Sequence, residues 1–138
     1  MGKLALSFLL LLSTELWTLA GTERLIGTWK SNKGATVAHL KIHTKLTPTQ
    51  IEKIGSVLGE MTIAFDAESM TFAHRDWKFT TKYKIVKEEK NAITIESQDP
   101  QTKKLVKTVL EFDTSGKGFW APEEKIEGYK ERFDKVVK

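Results

Sequence analysis

From Met61 almost to the last residue, apolar and polar side chains alternate with a period of two, interrupted at short intervals by turn residues. No other feature restricts the fold as much, because this alternation is the signature of half-buried strands. Strands joined by tight turns must then pair antiparallel. Met61, Ile63 and Phe65 share a face, and "DAES" turns the chain towards Met70, Phe72 and His74. In "DWKFTTKYKIVKEEKN", Phe79, Thr81, Tyr83 and Ile85 fall together while Lys82 and Lys84 point away. A turn near Lys90 and Asn91 leads into "AITIES", with Ile93 and Ile95 inward, and "DPQT" carries proline at the second turn position. "KLVKTVLEFD" sets Val106, Thr108, Leu110 and Phe112 against Lys107 and Glu111, and "TSGKG" turns into the short "FWAP".

The closing stretch "KIEGYKERFDKVV" fits two structures. Ile126, Tyr129, Phe133 and Val136 suit a helix, whereas Tyr129, Glu131 and Phe133 suit a strand with a polar residue in its inward middle. The strand is preferred, because a sheet that begins near Leu25 needs a closing partner and bare sheet edges invite aggregation.

Ahead of the alternating region, "RLIGTWKSN" reads as a strand with Leu25, Gly27 and Trp29 on one face. A glycine there lets another chain segment approach closely. In "GATVAHLKIHTKL", Ala38, Ile42 and Leu46 recur at helical spacing, although a strand fits part of it. "LTPTQIEKIGSVLGE" is a clearer helix: Thr47 as N-cap, Pro48 in the first turn, Gln50 completing a capping box, an Ile51, Ile54 and Leu58 stripe, and Gly59 as the stop. The expected fold is mainly β, a single antiparallel barrel of about eight strands with a two-helix insertion after the first strand.

The first twenty residues, with Lys3, an apolar run from Leu4 to Leu12 and the small residue Ala20, have the layout of a cleavable signal peptide. The run is short against the roughly 20 residues that span a bilayer, and Glu15 interrupts its far side. Residues 21–138 are then the barrel domain, exported to a periplasm or to the medium. "LAGT", Leu19 to Thr22, resembles a lipobox with threonine in place of the lipid-accepting cysteine, and the chain has no cysteine at all. Its core must stabilise it without disulfides. The net charge of +4 comes from lysines scattered among glutamates. No basic stripe interleaved with stacking aromatics suggests nucleic acid as a partner.

The order of a Gly-x-Trp strand, helices and tightly connected antiparallel strands resembles the fatty-acid-binding-protein and lipocalin group of barrels. It is most similar to small exported bacterial lipocalin-like proteins, over Leu25 to Val136. The resemblance implies that Trp29 plugs one end of the barrel, that Gly27 belongs to the same closure, and that a basic residue of the last strand lies across the indole. Arg132 is favoured for that cation because guanidinium stacks on flat rings, with Lys135 as the alternative. It also implies that Ile51, Ile54 and Leu58 lie over a cavity as a lid, and that the protein binds a small apolar or amphipathic molecule.

Inward residues line either a cup or a solid core, since both use the same alternation. For a cup the candidates are Phe65, Phe72, Phe79, Leu110 and Phe112 as walls, with His74, Tyr83, Thr108 and Glu131 orienting a ligand head. Tyr129 belongs to the same inward set. A solid barrel acting as a protein-interaction or inhibitor module, through exposed residues such as Leu105 and Val109, is the second reading. A third uses His39 and His43, four apart on the first helix, as metal ligands, though cysteine is absent and His74 is the sole further histidine. No Gly-x-Ser-x-Gly elbow, cysteine nucleophile or phosphate-binding glycine loop occurs, and Glu123 and Glu124 suit a solvated turn. The expectation is a non-enzymatic protein that needs no cofactor.

Overall fold

The computed structural model describes residues 23–137. The expected leader and the "LAGT" stretch therefore lie outside the described residues. Eight strands close into one antiparallel barrel in chain order, β1 (Gly27–Ser31), β2 (Thr62–Phe65), β3 (Ser69–His74), β4 (Trp77–Glu88), β5 (Ala92–Gln98), β6 (Leu105–Phe112), β7 (Gly118–Pro122) and β8 (Lys130–Lys135). Two helices, α1 (Lys33–His43) and α2 (Pro48–Gly55), stand between β1 and β2. The closing stretch is thus a strand, and it pairs with β1 through Trp29 and Lys135, Lys30 and Asp134, and Ser31 and Phe133. That seam leaves the sheet without a free edge.

Turn chemistry sets the hairpins. Asp66 Oδ1 accepts from the Glu68 and Ser69 amides at 2.9 and 2.6 Å, and Asp99 Oδ1 from Gln101 and Thr102 at 2.8 and 2.9 Å. Each aspartate replaces backbone partners that the turn leaves free. A bulge between Ile85 and Lys87 interrupts the β4–β5 register, and its extra residue, Val86, is exposed.

One end of the barrel is sealed by rings. Trp29 is fully buried, 4.9 Å from the Phe119 centroid and 5.8 Å from Phe112, and its indole N–H donates to the Leu25 carbonyl at 2.9 Å. Residues 23–25 form a helical turn over this end. Its Leu25 is wholly buried, while the Arg24 guanidinium donates to the carbonyls of Glu89 and Lys90 at 3.1 and 3.0 Å and stands 5.1 Å over the Phe112 ring.

The cation over Trp29 is Lys135, whose Nζ lies 5.6 Å above the indole, not the Arg132 expected from guanidinium chemistry. Alternation along β8 decides this: Glu131, Phe133 and Lys135 share the inner face, so Arg132 points outward. There it lies 5.6 Å over Trp120 and pairs with Asp113 at 2.5 Å and Asp134 at 2.9 Å. Gly27, at φ +131°, allows the Lys135 stem to pass, since a Cβ there would sit 3.2 Å from Lys135 Cε. Gly118 leaves room for the outer stack, because a side chain there would push the Arg132 guanidinium aside.

The helices form a second, smaller core. Asn32 caps α1 by accepting from the Ala35 amide, and Thr47 and Gln50 make the expected capping box on α2. That second helix ends at Gly55, short of the expected stop at Gly59. On α1 the buried residues are Thr36 and Leu40, whereas Ile42 is 76 % exposed and Ala38 is also exposed. Of the expected stripe only Leu46, beyond the end of the helix, packs into this core. Leu40, Ile51 and Leu58 pack with Tyr129, so Tyr129 faces the helices and not the barrel interior. The Arg132 amide donates to Thr36 Oγ1 at 2.9 Å, tying α1 to β8 beyond the end of β1. No helix among the described residues is long and apolar enough to cross a membrane.

Candidate functional site: a cavity at the open end of the barrel

Opposite the Trp29 plug, the barrel holds a cavity of about 360 Å³. Its walls are apolar, from Ile63, Phe65, Met70, Phe72, Ile95, Leu110 and Phe133. Its mouth is built by the β5–β6 turn, with Asp99 and Pro100, and by the β7–β8 connection, with Glu123, Glu124 and Lys125. Neither helix contributes a lining residue. The lid expected of Ile51, Ile54 and Leu58 is therefore a separate core beside the barrel.

Of the anticipated site residues, Phe65, Phe72, Thr108, Leu110 and Glu131 line the cavity. Four others, His74, Phe79, Tyr83 and Phe112, lie outside the lining. Phe112 belongs to the plug, in edge contact with Trp29. The Tyr83 hydroxyl donates to the Asp66 carbonyl at 2.7 Å, fastening β4 to the β2–β3 turn, and burial pushes its pKa up. Phe79 sits outside the lining, between Phe72 at 6.4 Å and the half-exposed Trp77 at 6.3 Å, with Lys103 Nζ 5.1 Å over its ring. Period-two alternation assigns a side chain to the inner face but not to a height along the barrel axis. The unpredicted lining residues Ser97 and Ala121, and the plug residue Phe119, fall under the same ambiguity, whereas Leu25, expected in the first strand, lies on the helical turn ahead of Gly27.

His74 stands at the open end of β3, and its Nε2 is buried without a hydrogen-bond partner. Glu60 Oε2 approaches that nitrogen to 3.4 Å, as an ion pair when the imidazole is protonated, without hydrogen-bond geometry. The Glu60 carboxylate is instead held by Arg75, whose Nε donates at 2.6 Å, and its pKa is lowered by that bond.

Glu131 is the one carboxyl on the inner face of β8. Burial pushes its pKa up; a hydrogen bond from Ser31 opposes the shift, nearby Glu123 adds to it, and His74 pulls it down. The Ser31 oxygen accepts from the Gly59 amide at 3.1 Å, so its proton is free to be given to Glu131. No ion pair among the described residues involves Glu131.

His39 and His43 do come together, with ring centroids 4.3 Å apart. Their planes are tilted by 31°, and His39 also lies 4.9 Å from Trp120 and holds the Gly128 carbonyl through Nε2 at 3.0 Å. Among the described residues no three of His, Cys, Asp or Glu form a group that could hold a metal ion. His39 makes an aromatic contact between α1 and Trp120 of β7, with His43 as its other ring neighbour.

No protein-family model, curated protein or solved structure matches the chain.

Proposed function

We propose that the protein is a lipocalin-like, exported binding protein that holds a small apolar or amphipathic molecule in its barrel, without catalysing a reaction on it. The observation that carries this reading is the cavity of about 360 Å³, apolar inside and open at one end. Sites for small molecules have volumes of roughly 300 to 1,000 Å³ and combine an apolar lining with few polar groups. The rigid plug at the other end keeps the walls apart, so the space does not depend on the ligand for its shape.

Titration of the folded protein with Nile red, a neutral dye that brightens in apolar surroundings, tests the reading. Saturable binding competed by dodecanol supports it, and Thr108→Phe, which fills the cavity from its half-buried wall, abolishes the signal. Absence of saturable binding by a folded barrel would turn attention to its outer face. There Leu105 is 71 % exposed and Val109 38 %, as an interaction module requires.

A further inference from the structure

We propose that the cavity selects amphipathic cations, namely a primary ammonium group on a hydrocarbon tail, and that Glu131 is the residue that receives the ammonium. This inference rests on the binding reading above and adds the chemistry of the ligand head.

The argument begins with an imbalance of charge. The chain as a whole carries +4, yet the cavity is lined by Asp99, Glu123, Glu124 and Glu131 against Lys107 and Lys125. Most of these charges sit at the wet mouth, where Glu123, Glu124, Lys107 and Lys125 are exposed. Screening weakens their effect there to steering. Glu131 differs, because it projects from the inner face of β8 between the apolar wall and the mouth. A carboxylate in such surroundings is stable only when it is paired or hydrogen-bonded.

Its present company is insufficient. Ser31 supplies one hydrogen bond, a carboxylate accepts several, and no lysine or arginine among the described residues forms an ion pair with it. An incoming ammonium has three N–H donors and a full positive charge. One donor would meet Glu131, the carboxyl of β8 that lines the cavity. The tail would then extend towards Leu110, Ile95 and Phe65, away from the mouth. A fatty acid in the same pose would bring a second carboxylate against Glu131, with Lys107 and Lys125 out at the wet mouth. A long-chain alcohol would be intermediate, since it satisfies the apolar wall and carries no charge.

The test is competition against Nile red with three probes of equal tail length, dodecylamine, dodecanol and dodecanoate, at neutral pH and below their aggregation concentrations. Dodecylamine is expected to displace the dye at concentrations about tenfold or more below dodecanol, as befits a hydrogen bond to a charged group, with dodecanoate weakest. Glu131→Gln is expected to collapse the amine-to-alcohol ratio towards unity. Glu68→Gln, at an exposed turn beside the plugged end, is expected to preserve it. Because the readout is a ratio within one protein sample, a change in stability alone does not move it. Equal displacement by amine and alcohol, stronger displacement by dodecanoate, or an unchanged ratio in Glu131→Gln would overturn the head-group assignment while leaving the cavity reading intact. Failure of all three probes and of the dye itself would overturn both.

Discussion

Gly27 and Glu131 show how single residues combine to shape this barrel. Gly27 occupies φ +131° beneath the stem of Lys135, a backbone region that a Cβ strains by about 1–3 kcal/mol. Gly27→Ala should therefore lower the unfolding free energy obtained from urea titration by an amount in that range, and should weaken the contact of Lys135 with Trp29. Glu131 acts in the opposite sense. Its carboxyl ionises less readily in the folded chain than at its ordinary value near 4.5, chiefly because it is buried and secondarily because Glu123 faces it, despite Ser31 and His74. The unfolded chain then loses the proton first, so stability is undiminished below the ordinary carboxyl range and declines as pH rises through the folded pKa. Thermal melts should find Glu131→Gln stabilised relative to the parent at pH 8, with the gain vanishing at pH 4. A Glu131→Gln protein that is less stable than the parent at pH 8 would mean that Glu131 is already paired. The location of Glu131 on an inner face was readable from alternation alone. Its isolation was not, because that depends on which residues of other strands lie at the same height.

At the scale of elements, the helices and the barrel are distinct packing units joined at β8. Leu40→Ala in the helix core should cost about 2–5 kcal/mol where the site cannot collapse, yet Nile red binding should survive in protein that remains folded, since no helix residue lines the cavity. Loss of dye binding in a folded Leu40→Ala protein would restore the helices as a lid. Thr47→Ala removes half of the capping box and should cost about 1 kcal/mol, read as a small loss of helical circular dichroism with the β signal intact. These elements also mark the limit of sequence reasoning. The capping box of α2 is local chemistry, complete within four residues, and was legible. The buried face of α1 was not, because Thr36, the residue that anchors it, is polar and earns its burial through the distant Arg132 amide. Hydropathy periodicity instead favoured Ile42, which is 76 % exposed.

For the whole molecule, the decisive contact joins the two ends of the described chain, Trp29 to Lys135 and Ser31 to Phe133. The barrel cannot close until residues about a hundred positions apart have met, and topologies dominated by such non-local pairing fold in roughly milliseconds to seconds. Stopped-flow refolding monitored by tryptophan fluorescence should fall in that window, with the burial of Trp29 reporting closure. A microsecond phase carrying the full signal would contradict this order. The closed eight-stranded architecture was legible because alternation and turn residues recur with the regularity that a barrel requires. The cation on Trp29 was not legible from side-chain chemistry, because strand parity along β8 puts Lys135 and not Arg132 on the inner face. The plug and the mouth also divide the molecule by tolerance. At the plug, Leu25, Trp29, Phe112 and Phe119 are buried against one another, so almost any substitution is felt by all of them. The mouth is made of turns whose aspartate-held backbones enclose no core, as at Asp99 to Lys104. Insertions and sequence drift are admissible there, and a lineage built on this scaffold is free to vary the shape and charge of its mouth while inheriting its fold unchanged.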